Sequence, residues 1–235
     1  MTQYANALQA YAFDMAEKLA TGALFPPWTN TAIRVVLVSL GLGVVGFLGF
    51  CMVYVRSPLF TGQNEPVVQP IEFDHRHHVG DDGIDCRYCH NTVDRSSSAG
   101  YPATEICLNC HGQIWNKSPM LDPVRRSFFT DRSLEWKRVH DLPDHVYFNH
   151  SIHVNKGVGC VSCHGRVDRM AEIMRVQPLT MGWCLSCHRD PIKNLRPREY
   201  ITSMTWEAAD PEAIGQEVAK ANNVHTRTSC TTCHR

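Results

Sequence analysis

The sequence predicts a mostly irregular chain with short α-helices and one N-terminal transmembrane helix, and three observations lead there. Eleven cysteines and thirteen histidines crowd a chain of 235 residues. One apolar run, Val35 to Val55, takes a large share of the 43% hydrophobic content and leaves the remainder polar and short of core for its length. Alternating strand patterns are scarce, and 15 Gly and 13 Pro punctuate the chain. Charge excludes one class of function at once: 23 Lys plus Arg balance 23 Asp plus Glu, so no basic field is available to drive nucleic-acid binding.

Residues 1–30 form an N-terminal segment of their own. Tyr4, Leu8, Tyr11, Met15 and Leu19 fall at spacings of four, three, four and four, one face of an amphipathic helix. Such a helix lies on the bilayer surface or docks on a partner subunit. Phe25-Pro26-Pro27-Trp28 then breaks it. Residues 31–56 follow as a membrane anchor, because the 21 uncharged residues from Val35 to Val55 match the roughly 20 that span a bilayer. Arg34 and Arg56 sit at its two interfaces. The run is too long for the apolar core of a signal peptide, and no A-x-A cleavage site follows it. Gly41, Gly43, Gly46 and Gly49 permit close helix packing in lipid, although no strict G-x-x-x-G is present. Cys51, inside the span, belongs to no motif and reads as a small packing residue.

The other ten cysteines, all within residues 57–235, come in five identical C-x-x-C-H units. The first is Cys86-Arg87-Tyr88-Cys89-His90. Cys107, Cys110 and His111 follow, then Cys160, Cys163 and His164, then Cys184, Cys187 and His188, and last Cys230, Cys233 and His234. Two thiols three positions apart can form thioethers to the two vinyl groups of one haem, and the adjacent His turns its ring toward the iron. Zinc would use paired C-x-x-C units but has no need of a His after every second Cys. A thioredoxin-like motif would sit once in a βαβ setting, which is not found here. A disulfide framework explains neither the fixed spacing nor the His. Five covalent c-type haems, each with its iron, are the expectation.

First cysteines are separated by 21, 53, 24 and 46 residues, so the expectation is a haem pair over 71–115, a linker over 116–145, and three haems over 146–235. A short internal repeat supports this division. Phe73-Asp74-His75-Arg76-His77-His78 precedes the first pair and Phe148-Asn149-His150-Ser151-Ile152-His153 the second, both reading F-x-H-x-x-H. His75, His78, His150 and His153 are therefore the expected distal iron ligands. Met181, just ahead of Cys184, is the expected fifth, because its thioether suits haem iron and raises the potential. His140 and His225 are its rivals, with His145, His77 and Met174 behind them. The 179 residues after Arg56 cannot build an ordinary core beside five macrocycles, so the macrocycles must be the core.

Haems with both axial positions filled have no place for a substrate, and their chemistry is one-electron transfer. Covalent haem attachment takes place outside the cytoplasmic membrane, so the expected location is a single-pass protein of the cell inner membrane with its haem domain on the periplasmic side. Ten haem propionates make the finished domain more acidic than the neutral chain suggests.

These features resemble a known family. The anchor, the F-x-H-x-x-H units, Val139-His140-Asp141-Leu142-Pro143-Asp144, Val146-Tyr147-Phe148-Asn149-His150, Cys160 to Gly165, Met181-Gly182-Trp183-Cys184 and the terminal Cys233-His234-Arg235 are similar to the pentahaem cytochrome c subunit of alternative complex III. The F-x-H-x-x-H units alone also resemble class III cytochromes, with their haem-packed core. The resemblance covers residues 30–235; the head before the anchor lies outside it. It implies an electron-transfer subunit of a quinol-oxidising respiratory or photosynthetic complex. Its partners would be an iron-sulfur subunit, quinol-binding integral membrane subunits, and a monohaem cytochrome c or other periplasmic acceptor. An anchored multihaem quinol dehydrogenase that feeds a periplasmic reductase is the main alternative. A pentahaem nitrite reductase is disfavoured, because all five motifs end in His and leave no variant motif for an open iron.

Overall fold

The computed structural model describes residues 2–20, 22 and 25–234; the terminal Arg235 of the family resemblance lies outside them. The chain divides after Arg56 into two units. In the first, α1 (Thr2–Ala20) carries the predicted apolar face, and Tyr4, Leu8, Tyr11, Met15 and Leu19 are all exposed. An i,i+4 pair between Lys18 and Asp14 at 2.6 Å supports its polar side. Then α2 (Trp28–Tyr54) follows directly on Pro27, whose fixed φ suits the start of a helix. This 27-residue helix has a best-window mean hydropathy of 2.4 and buries none of its residues, so it is long and apolar enough to cross a membrane. It starts seven residues before the uncharged run, extending the span toward the Pro-Pro break. At its other end Arg56 Nη1 donates to the Met52 carbonyl at 2.9 Å, placing a cation on the negative pole of the helix.

The second unit begins with α3 (Pro58–Thr61), closed by Gly62 at φ +64°. Short elements separated by loops follow: a π-helical turn over Arg76–Asp81, α4 (Cys86–Cys89), α5 (Thr104–His111), α6 (Asp122–Thr130), α7 (His150–Asn155), α8 (Cys160–His164), α9 (Met181–Arg189), α10 (Pro211–Ala221) and α11 (Cys230–Cys233). Among the described residues no strand forms. Three isolated bridges, Gln63 with Arg175, Pro66 with Met174 and Val158 with Leu195, hold loop to loop instead. The first two, with Val67 N–H donating to the Ile173 carbonyl at 3.1 Å, tie the segment after the anchor to the chain beyond α8.

Buried apolar side chains are few. Among the described residues only nine hydrophobic side chains are buried, and one small cluster of Val167, Met170 and Met204 gathers Cys86 and Cys160 against it. A chain of this length with so little core is marginal on its own. The protein contacts that do exist therefore lie at defined points. At Gly80, in the π-helical turn, a Cβ would stand 2.7 Å from the Asp168 carbonyl oxygen, just beyond α8. That closeness lets the turn bearing the first His pair dock beside the third attachment motif. Gly80→Ala is expected to cost about 1–3 kcal/mol through overpacking, read as a lowered Tm of the matured protein; an unchanged Tm would contradict this docking.

Candidate haem-binding sites

Each attachment motif occupies a single helical turn, which puts residues three apart on one face and aims both thiols the same way. Local chemistry fixes several of these turns. Asp85 caps α4, its carboxylate accepting from Arg87 N–H at 2.9 Å, and Thr180 caps α9 through Trp183 N–H. The guanidinium of Arg87 holds the Asp85 carboxyl far below the usual carboxylate range, with Thr202 Oγ1 adding a hydrogen bond at 2.7 Å. None of the ten motif cysteines is in a disulfide. Burial pushes the thiols of Cys89, Cys107, Cys184 and Cys187 up, and that of Cys163 up to about 11.

The proximal rings are oriented by the backbone. His90 Nδ1 faces the Gly100 carbonyl at 2.8 Å, His111 that of Ile114 at 3.1 Å, His188 that of Arg227 at 2.9 Å and His234 that of His145 at 2.9 Å. A carbonyl can only accept, so Nδ1 carries the proton and Nε2 keeps a lone pair free for a metal. His164 is half-buried as a residue, and desolvation of its ring pushes it down to about 3, so the ring is neutral.

The two F-x-H-x-x-H units have nearly the same geometry on different backbones. The first is a π-helical turn with His75 at its N-terminal boundary; the second is α7, capped by the Asn149 side chain. In each, the Phe ring meets the first His edge-on at 4.7 Å and stacks on the second, Phe73 on His78 at 4.4 Å and Phe148 on His153 at 4.6 Å. His78 Nδ1 donates to the Asp74 carbonyl at 2.9 Å and His153 Nδ1 to the Asn149 carbonyl at 2.7 Å. The second His of each unit then faces the second proximal His of its pair, His78 to His111 at 6.1 Å and His153 to His188 at 6.0 Å between ring centroids. Two ring nitrogens each roughly 2 Å from one metal, with ring centres roughly 1 Å behind them, require about 6 Å. These two pairs fit an iron between them.

The chain also matches known proteins. Residues 146–235 match the family described as cytochrome c7 and related cytochrome c. The multihaem cytochrome c subunit of a menaquinone reductase from Nitratidesulfovibrio vulgaris (strain Hildenborough) is 28% identical over 179 residues, covering 71% of this chain and 77% of the relative. The fold class is that of a multihaem cytochrome c. Covalent c-type haem, with its iron, is the cofactor that this class carries.

The first and third motifs share one histidine cluster. His140 lies 4.3 Å and His150 6.3 Å from His164, while His75 and His150 both lie within electrostatic range of His90. Burial pushes His75 and His140 down to about 4 and lowers His150 and His153, so these rings are neutral lone-pair donors. Two of them keep a buried nitrogen with no partner, Nδ1 of His75 and Nε2 of His140, which suits His140 in particular to an iron. The sequence ranked His140 as a rival, with no repeat to mark it; only folding brings it to His164. His145 stacks at 5.5 Å on His234, and the His77 ring lies 3.6 Å from the Asp81 carboxylate and 3.5 Å from that of Asp82 at the surface. Met174 packs on the Val167 cluster, Met181 is 64% exposed at the start of α9, and His225 lies in the loop between α10 and α11. A cavity of about 560 Å³ between the start of α5 and residues 131–136 is lined by none of the motif cysteines or candidate ligands. His78→Met and His153→Met are each expected to raise the potential of one haem; a redox titration identical to wild type would remove that residue from coordination.

Proposed function

We propose that this chain is the electron-transfer subunit of a membrane quinone-linked complex, relaying electrons through five c-type haems. The observation that carries the reading is that His78 and His153, each oriented by a backbone carbonyl, face the proximal His111 and His188 of their C-x-x-C-H turns at 6.1 and 6.0 Å between ring centroids. Rings on both sides of the iron leave electron transfer as its chemistry. A membrane-length helix ahead of the haem unit supports an inner-membrane anchor with the haems on the periplasmic side. The relative's description as a subunit of a menaquinone reductase supports a quinone-linked assembly.

The family resemblance makes the proposal finer: a subunit of alternative complex III, fed by an iron-sulfur subunit and quinol-oxidising membrane subunits, and discharging to a periplasmic cytochrome c. The relative's description names reduction of menaquinone, the opposite direction. A row of haems has no valve, and its direction follows the potentials at its ends. An anchored quinol dehydrogenase differs in one testable respect, since it oxidises quinol by itself. The isolated matured chain in detergent is expected to show no rapid haem reduction by a reduced quinol analogue. Rapid reduction without another subunit would defeat the relay reading.

We assign the distal positions to His75, His78, His150 and His153 and to Met181, with His140 as the reserve beside His164. Met181 precedes Cys184 by three residues on one face of α9, and its exposed thioether supports assigning it as the fifth ligand. The His145 ring is the competitor for that role. Met181→His is expected to lower the potential of one haem, and His145→Ala to leave all five unchanged. The opposite result would transfer the role to His145.

A further inference from the structure

Chain order and spatial order of the five motifs are not the same. The second motif touches the first, where Asn109 Nδ2 donates to the Tyr88 hydroxyl at 3.1 Å, each residue lying inside its C-x-x-C turn. The first motif touches the third through residues 201–202. Cys160 N–H donates to the Ile201 carbonyl at 3.0 Å, while Thr202 Oγ1 donates to Asp85 and its carbonyl lies 3.9 Å from Cys86 Sγ. Cys86 and Cys160 pack on the same small cluster. The loop after the first motif, residues 96–100, also serves both, its Gly100 carbonyl orienting His90 and its Ser97 carbonyl orienting His150.

Beyond the third motif the order continues along the chain. His153, seven residues before Cys160, faces His188 of the fourth motif. His188 Nδ1 in turn donates to the Arg227 carbonyl, three residues before the fifth motif. Of the ten motif cysteines, only Cys110 of the second motif and Cys230 of the fifth are exposed.

We propose that the attachment motifs form a row in the order second, first, third, fourth, fifth. The second and fifth motifs are then the two ends, where electrons are exchanged with partners. The junction between the first and third, bridged by Asp85 and Thr202, joins the two halves. This order rests on the relay reading above, because only haem attached at the motifs gives it electrical meaning.

The test counts neighbours. In matured full-length protein, Cys107→Ala/Cys110→Ala deletes the second haem and Cys86→Ala/Cys89→Ala the first. The remaining haems are followed by their individual low-spin EPR signals during redox titration. Loss of an end haem shifts one remaining signal, and loss of an inner haem shifts two. The expected counts are one for the second haem and two for the first; the reverse, which simple chain order requires, would overturn the proposal. Should either deletion prevent folding, the iron positions in a map of the unmodified membrane complex decide it. The third iron lying nearer the first than the second supports the order, and the opposite overturns it. Rapid quinol reduction of the isolated chain would defeat the relay reading and leave the spatial order standing.

Discussion

The haem-bearing unit cannot close on its own side chains, and every other feature depends on that shortage. With nine buried hydrophobic residues among those described, apolar burial at roughly 25 cal/mol per Å² falls far short of offsetting backbone entropy over some 180 residues. Covalent attachment removes the difficulty by making large apolar macrocycles part of the chain. Helices then need be no longer than the turn that aims two thiols, and loops need only carry carbonyls to the imidazole nitrogens behind them. The short helices and the histidine-lined interior are two consequences of one constraint.

That constraint explains how a loop-rich chain can hold several irons at defined spacing. Orientation comes from backbone carbonyls at Gly100, Ile114, Arg227 and His145 rather than from a side-chain network. Such carbonyls fix the tautomer of these four proximal rings and raise their basicity without adding a titratable group. The remaining tuning comes from burial, which keeps His75, His140 and His164 neutral. Polar stitches between distant segments, such as Asp85 to Thr202 and Asn155 Nδ2 to the Asp94 carbonyl, set how neighbouring motifs meet.

Much of this was legible in the sequence wherever chemistry is local. The five C-x-x-C-H turns, the apolar span and the amphipathic face of α1 are patterns within a few residues, and the structure forms helices over each. The F-x-H-x-x-H repeat was legible as two matched histidine units, but the π-helical form of the first, whose Gly80 lies against the Asp168 carbonyl of another segment, was not. His140 beside His164 and His145 beside His234 were equally hidden, since such contacts depend on chain closure over tens of residues. The order of the motifs in space is the extreme case. Spacing along the chain pairs the first motif with the second, and nothing in it shows that the first also abuts the third.

The central claim is that ten of the eleven cysteines are committed to haem. It is tested most directly by the intact mass of the matured full-length chain before and after alkylation in denaturant. The account predicts an increase of five haems and a single alkylated thiol, Cys51. Fewer haems, or a second thiol open to alkylation, would contradict it.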